Sequence, residues 1–435
     1  MDGFTDDSQL NTIPTTKKID EEEEEEKGNS EIVPTNRAKV KYGQSRSRPY
    51  YPRRCKRSDF LTTNINSLPD ELVFEILVHL PAHDIYNAIM TVSRKWYQII
   101  HTQSFVNTHL HRSNYGLLVQ NHVSQTTQLS FIGLSRQGRA ELTRLNYKPK
   151  YKIWCNTCNG LILEWEREKL NLSGLYIANP ATMQHFALPP IFDPMCFIFS
   201  ALAYASVSMV YKVVIAVRKE KEWCCAILTV GVDESWRPVR TQHLSLESKK
   251  RLFLCTPLTT EGFMHWASGG DFVLTLNVET EIFTEYVVPS LSSRDTILSY
   301  HYYSAVKYLS LVIRCRGWYW EIWEMKPETG EWTKLPGIKG KDLKDRRGEI
   351  VNWLFEHDKE FNLSSSRMSA LVPVGWLKYK EVFVFYVIRP GMNLAPRFCM
   401  AWNVRSKETQ FIELDSGENV FLVHMNSMVW LDGCN

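Results

Sequence analysis

Residues 68–105 read LPDELVFEILVHLPAHDIYNAIMTVSRKWYQIIHTQSF, a stretch with helical punctuation. Pro69 suits a first helical position, where its missing N–H removes nothing, and Asp70 and Glu71 complement the positive end of the helix dipole. A first helix is therefore predicted from about Pro69, with Pro81 as its stop. Asp84 is placed to cap a short second helix carrying Ile85, Ala88, Ile89 and Val92, and Ser93 to cap a third. That third helix presents Trp96, Ile99 and Ile100 at the spacing of one face.

At ~100° per residue, Leu68, Leu72, Ile76 and Leu80 fall on one side of the first helix, with Val73 and Leu77 beside them. Phe74 and Val78 fall on the other side. A helix apolar around most of its circumference requires cover around most of it, and three short helices cannot supply that alone. Either a second protein or the remainder of this chain has to provide it.

Outward from this segment the texture changes on both sides. Residues 1–62 are poor in apolar side chains and hold an acidic block at residues 21–26. A basic stretch follows at 37–57, with nine Lys and Arg and no acid among them. Such a composition cannot bury enough surface to offset the entropy of ordering, so a disordered tail is expected. The cluster Pro52, Arg53, Arg54, Cys55, Lys56, Arg57 resembles a nuclear-import signal, and a solvated basic tail accounts for it equally.

For the 435 residues as a whole, 44% hydrophobic and 23% charged composition is that of a globular protein of two or three folding units. A net charge of +3 is too near balance to imply nucleic acid. Ten cysteines spread over this length are no disulfide framework, which points to reduced thiols in the cytoplasm or nucleus. Residues 1–10 lack the basic and apolar pattern of a secretory signal. Residues 195–217, with Lys212 as their only charge, are long enough to span a bilayer. Their second half is β-branched and aromatic, so two buried strands joined near the Ala-Ser region are predicted instead.

Beyond about residue 111 come short runs such as YKVVIAV, DFVLTL, YLSLVI and EVFVFYVI, separated by Gly, Pro, Asn and Asp, with no long amphipathic helical pattern between them. A weak repeat recurs within this region: a strand, a polar turn, an aromatic and often Leu-Pro. It starts at 179, 232, 277, 325 and 403, with one wide gap that could hide a degenerate unit. A period near ~50 suits a propeller blade of four short strands, which gives roughly six blades.

The helical segment closely resembles the F-box in order and spacing: Leu68-Pro69, Ile76-Leu77, Leu80-Pro81, then Ser93-Arg94-Lys95-Trp96, Ile99-Ile100 and Phe105. Downstream, Cys158-Asn159-Gly160-Leu161-Ile162, Asn179-Pro180-Ala181-Thr182, Tyr211-Lys212-Val213-Val214, Ser235-Trp236-Arg237 and Glu321-Ile322-Trp323-Glu324-Met325 resemble the plant F-box-associated domain. The resemblance implies an α+β multidomain chain. A disordered tail (1–62) precedes a small helical F-box module (63–110), and an all-β, kelch-like, propeller-related domain follows (111–435). It further implies a non-catalytic substrate receptor of a Skp-cullin-F-box ubiquitin ligase. Such a receptor docks on a Skp-type adaptor, reaches the cullin and RING subunits through it, and captures a protein target of unknown identity. Leu68, Pro69, Leu72, Ile76, Leu77, Leu80, Pro81 and Trp96 are the residues expected to make or shape the docking face. The alternative is an F-box-bearing scaffold that binds a glycan or protein without driving its turnover.

No catalytic motif, cofactor fingerprint or nucleotide loop is found in the sequence. Cys155 and Cys158 form a C-x-x-C without a second ligand pair, so no metal is expected, and Cys224 and Cys225 point to opposite faces of a strand. His79, His83, His101, His109 and His111 cluster around the helical module and read mostly as surface residues. The aromatics read mostly as blade packing, with residues 317–320 (GWYW) the best candidate for an exposed platform. No basic stripe accompanies it, so neither nucleic acid nor membrane is expected as a partner.

Overall fold

Two prolines set the entries of the first two helices. In the structure, a computed structural model, Pro69 (φ −55°, ψ 148°) caps α1 (Asp70–Leu77) and Pro81 (φ −60°, ψ 140°) caps α2 (Ala82–Asn87). The second helix thus begins two residues before Asp84, which sits in its first turn rather than capping it as the sequence predicted. Proline's fixed φ already provides the entry, and the Asp84 carboxylate is left to complement the dipole. After a 3-10 turn at Ile89–Thr91 comes α3 (Arg94–Ile100), capped as predicted by Ser93, whose Oγ accepts from the Trp96 N–H at 3.2 Å. Thr102 caps a fourth helix, α4 (Gln103–Arg112), in the same way through the Phe105 N–H at 3.2 Å. This ten-residue helix carries the module two residues past the expected boundary at 110.

The structure describes residues 68–431 except 124–125, 136, 150–151, 169–170, 192–196, 220–221, 269–270, 291–296, 317–318, 344–370, 388–396 and 416–417. The tail expected at 1–62, with its basic cluster, lies outside the described residues.

Strands follow directly. The first three are β1 (Tyr115–Val123), β2 (Thr126–Leu134) and β3 (Ala140–Arg144). Blade 2 is β4 (Lys152–Cys158), β5 (Leu161–Glu168), β6 (Asn171–Asn179) and β7 (Gln184–Ala187). Blade 3 is β8 (Phe197–Ala205), β9 (Val210–Lys219), β10 (Glu222–Thr229) and β11 (Arg237–Pro238), after which α5 (Leu246–Leu254) crosses to the next blade. Blade 4 is β12 (Leu258–Thr260), β13 (Phe263–Trp266), β14 (Phe272–Asn277) and β15 (Ile282–Val287). Blade 5 is β16 (Ile297–Ala305), β17 (Tyr308–Cys315), β18 (Tyr319–Lys326) and β19 (Glu331–Lys339). Blade 6 is β20 (Leu371–Lys378), β21 (Val382–Val387), β22 (Arg397–Asn403) and β23 (Thr409–Leu414). The last strand, β24 (Glu418–Met425), returns to pair antiparallel with β1, Leu118 opposite Leu422, and becomes the innermost strand of blade 1.

The result is a six-bladed ring closed by its own terminus, with innermost strands β24, β4, β8, β12, β16 and β20 touching in succession. Closure leaves no open seam between first and last blades. Each of the six seams between blades has its own apolar cluster. Because a blade is covered on both faces, alternate residues of one strand enter different seams. Val213 and Ile215 of β9 pack toward blade 2, while Val214 and Ala216 pack toward blade 4. That is why residues 213–217 (VVIAV) are an unbroken apolar run, and the segment predicted to hold two strands gives β8 and β9 over its described residues. No helix among the described residues is long and apolar enough to cross a membrane. Lys212, the charge just before that run, is neutralised across the seam by Glu281 at 2.8 Å.

The repeat seen in the sequence is the turn between the third and fourth strands of a blade. Asn179, Asn277 and Asn403 each end a third strand, and each Oδ1 accepts a backbone N–H from the turn that follows. Four residues beyond them, Met183, Glu281 and Lys407 adopt left-handed φ of 56–58°. Asn side chains favour such turns by supplying the acceptor a backbone would otherwise have to find. The aromatic that follows can latch onto the preceding blade. Trp236 Nε1 donates to the Pro189 carbonyl and Trp332 Nε1 to the Val287 carbonyl, each at 2.9 Å. Among the described residues the wide gap between 325 and 403 holds no extra unit, since these starts belong to consecutive blades 5 and 6. The blade without the repeat is blade 1, and it completes the six.

Two details go beyond the sequence reading. It found no long amphipathic helical pattern between the strands, and the helix α5 that lies there is short, nine residues, with Ser245 Oγ accepting from the Ser248 N–H at 3.1 Å as its cap. Trp320, expected in an exposed platform, is fully buried in the seam between blades 5 and 6.

Candidate functional site

The four helices build a core of their own from Val73, Leu77, Val78, Ala82, Ile85, Trp96, Ile100 and Phe105. Phe74 meets Phe105 edge-on at 5.4 Å, which ties α1 to α4. Lys95 does the same for α1 and α3: its Nζ donates to the Leu68 carbonyl at 2.6 Å and lies 2.5 Å from the Asp70 carboxylate. His109 in α4 is buried, and its Nε2 donates to the Leu80 carbonyl at 2.9 Å, fixing the Leu80-Pro81 corner. Burial lowers the His109 pKa from the usual histidine value, so the ring is neutral at physiological pH. It is therefore an internal strut, not the surface residue the sequence suggested.

With this core formed, α1 keeps an apolar face to the outside. Leu72 and Ile76, one turn apart, are each 53% exposed. Leu77 on the opposite side is 0% exposed and Trp96 8%, so these two shape the surface from beneath. Pro69 and Pro81 are exposed, and Leu68 and Leu80 are half-buried at the ends of the same helix. The predicted docking residues thus divide into an outer set (Leu68, Pro69, Leu72, Ile76, Leu80, Pro81) and an inner pair. Val92, 52% exposed, and Tyr97, 47%, are further large apolar side chains left open on the module. Full burial of a Leu or Ile side chain contributes ~1.5–3 kcal/mol, so covering this open pair would be favourable.

The other side of the module answers the question left open by the sequence, because this chain covers it. After β24 the backbone runs on through residues 426–431, between the helices and blade 2. Met428 is fully buried in the helical core, together with Ala181 from the turn of blade 2. Trp430 stacks on His101 at 4.6 Å, and His101 on Tyr97 at 3.8 Å. Asn426 Nδ2 donates to His83 Nδ1 at 2.7 Å. Ser427 Oγ donates to the Asn159 carbonyl at 2.5 Å, and Asn179 Nδ2 donates to the Ser427 and Val429 carbonyls. The N-terminal module is therefore held on the ring by the C-terminal segment, which leaves α1's outer face uncovered. Sequence reasoning missed Lys95, Val92 and the 426–430 segment. Lys95 lies 25 residues from Asp70, beyond local reading, and nothing near residue 428 points to a contact with residues 68–112.

Among the described residues, no group of three or more His, Cys, Asp or Glu is arranged to hold a metal ion. The side chain of Cys155 lies outside the described residues, while Cys158 is a free thiol.

A family model described as F-box-like matches residues 65–111, and one described as F-box associated beta propeller domain matches residues 116–309. No curated protein matches the chain. Among solved structures, TolB from Acinetobacter baumannii is 8% identical over 76% of this chain and 73% of that one, with a TM-score of 0.40. An oligogalacturonate lyase from Vibrio parahaemolyticus is 8% identical over 74% and 81%, with a TM-score of 0.36. A post-proline cleaving enzyme from Rickettsia typhi is 10% identical over 69% and 43%, with a TM-score of 0.34. Likeness at this level carries no argument about activity.

Proposed function

This chain is an F-box protein with a C-terminal F-box-associated β-propeller domain, and from that premise we propose that it is the substrate-recognition subunit of a Skp-cullin-F-box ubiquitin ligase. The observation that carries the reading is the α1 face. Leu72 and Ile76 stand open on a module whose core and rear surface are otherwise packed. A Skp-type adaptor closing over this face would supply the cover that the chain itself does not, and would bring the cullin and RING subunits with it.

The mechanism is positional. Such a receptor makes and breaks no covalent bond; it raises the local concentration of a target lysine beside the charged ubiquitin carrier. A module clamped to its ring serves this purpose, because a fixed spacing converts target capture into a defined placement. The target remains to be identified, and loops of the propeller are the expected contact. Nucleus and cytoplasm are both proposed locations, the former supported by the basic residues 53–57.

Reconstitution tests the proposal. The full chain, mixed with a Skp-type adaptor, cullin, RING subunit, carrier and a partner captured by the propeller, should place ubiquitin on that partner. Adaptor capture without any transfer to a bound partner would overturn it in favour of a scaffold.

A further inference from the structure

The ring encloses a cavity of about 540 Å³ on its axis, bounded by the innermost strands and by His111 at the end of α4. Pockets of ~300–1,000 Å³ are those that take whole small molecules. The polar groups of this one have a consistent character. Tyr115, Tyr204 and Cys158 line it together, and the Cys158 thiol lies close enough to both hydroxyls for its ionisation to raise theirs. Burial pushes the thiol up to about 12 and raises both tyrosines, so all three are neutral. The neighbouring Tyr211 hydroxyl is already engaged, accepting from Asn159 Nδ2 at 3.2 Å. Those of Tyr115 and Tyr204 have no hydrogen-bond partner among the described residues. Its one carboxylate and one ammonium among the lining residues, Glu261 and Lys307, pair with each other at 3.6 Å, and His111 and His424 are the histidines of the lining.

We propose that this cavity binds an uncharged, ring-bearing small molecule with hydroxyl groups, a phenol-like compound that stacks on the tyrosine rings and exchanges hydrogen bonds with the Tyr115 and Tyr204 hydroxyls. A carboxylate or phosphate would enter a site with no unpaired cation and with Glu261 nearby; a free ammonium would lose its hydration to neutral hydroxyls. Aromatic walls with a few convergent neutral polar groups select against both. The site is separate from the outer face of α1 and does not depend on adaptor binding. Because His111 belongs to α4, an occupant would touch both the ring and the helical module.

The test uses the purified full chain, titrated by calorimetry with 4,4′-dihydroxybiphenyl and, separately, with biphenyl-4,4′-dicarboxylate. The diphenol should bind at one site and the dicarboxylate should not. Tyr115→Phe with Tyr204→Phe keeps both rings and should weaken the diphenol by about tenfold or more, as expected for two lost neutral hydrogen bonds. Ser304→Phe, filling the cavity from β16, should abolish binding, and a thermal melt reports whether each variant is folded. Absence of diphenol binding overturns the proposal and leaves a water-filled channel. Equal binding of the dicarboxylate, or diphenol binding unchanged in folded variants, overturns it as well.

Discussion

Asn179 Nδ2 donates to the Val429 carbonyl at 2.6 Å, joining the third strand of blade 2 to the end of the chain. The same amide donates to the Ser427 carbonyl at 3.1 Å, and its Oδ1 accepts from the Ala181 N–H at 2.9 Å. Asn179→Ala removes all three bonds in a site that is 1% exposed, leaving buried backbone groups unpaired. A loss of ~2–4 kcal/mol is expected from that mechanism. Asn403→Ala deletes the same turn acceptor in a more open setting, and a loss near ~1 kcal/mol is expected there. Urea unfolding of the two variants checks the difference, and equal losses would mean that the contact with the terminal segment contributes nothing.

The two sides of α1 should separate binding from folding. Leu72→Ser with Ile76→Ser alters only exposed positions, so the melting temperature should stay near that of the parent chain while adaptor pull-down is lost. Leu77→Ala empties a fully buried position and should destabilise the module by ~2–5 kcal/mol. Retained capture by the serine pair would remove the docking role assigned to this face.

Acid should weaken the fold before its carboxylates protonate. Burial holds His265 and His424 near a pKa of about 3, against an unfolded value of ~6.5. These folded values are depressed, so both rings stay neutral in the native state while the unfolded chain takes up protons. The stability is complete above ~pH 6.5 and is lost towards pH 3, by ~1.4 kcal/mol per pH unit for each histidine. His109 and His301 shift in the same direction, again through burial. Denaturant midpoints between ~pH 7.5 and 5 should therefore fall, and His424→Leu should reduce the slope by one histidine's share. A flat profile over that range would contradict the buried neutral assignment.

Glycine at position 160 should be irreplaceable. Its φ is +90°, and an added Cβ would stand 2.3 Å from Ser427 Oγ and 2.8 Å from the Met425 carbonyl. Gly138 has φ of +75° with nothing within 4 Å. Gly138→Ala carries only the backbone strain, ~1 kcal/mol, whereas Gly160→Ala must also displace the terminal segment. Thermal melts should show a clearly larger drop for Gly160→Ala, and an equal drop would show that the segment yields without loss.

Local physics wrote most of the helical module into the sequence: Pro69, Pro81 and Ser93 mark its turns, and Trp96, Ile99 and Ile100 mark one face. The blades were legible for a similar reason, since Asn179, Asn277 and Asn403 each satisfy a turn within four residues. What stayed hidden depends on distant partners. The α1 pattern is apolar around most of its circumference, and only the packing of distant core residues, Ile85, Trp96, Ile100, Phe105 and Met428 among them, decides that Leu77 is inside while Leu72 is outside. The pairing of β24 with β1 joins residues at opposite ends of the chain, so neither strand announces it. Trp320 was misjudged because alternation predicts one open face per strand, and a blade between two neighbours has none.

The segment that seats the helices is made long after the helices themselves. During synthesis the module leaves the ribosome roughly 300 residues ahead of Met428, and until β24 and that residue arrive the ring has no closing strand and the helices lack a buried part of their core. Nascent chains that stop short of Met428 therefore carry the helices without the contact that fixes them on the ring.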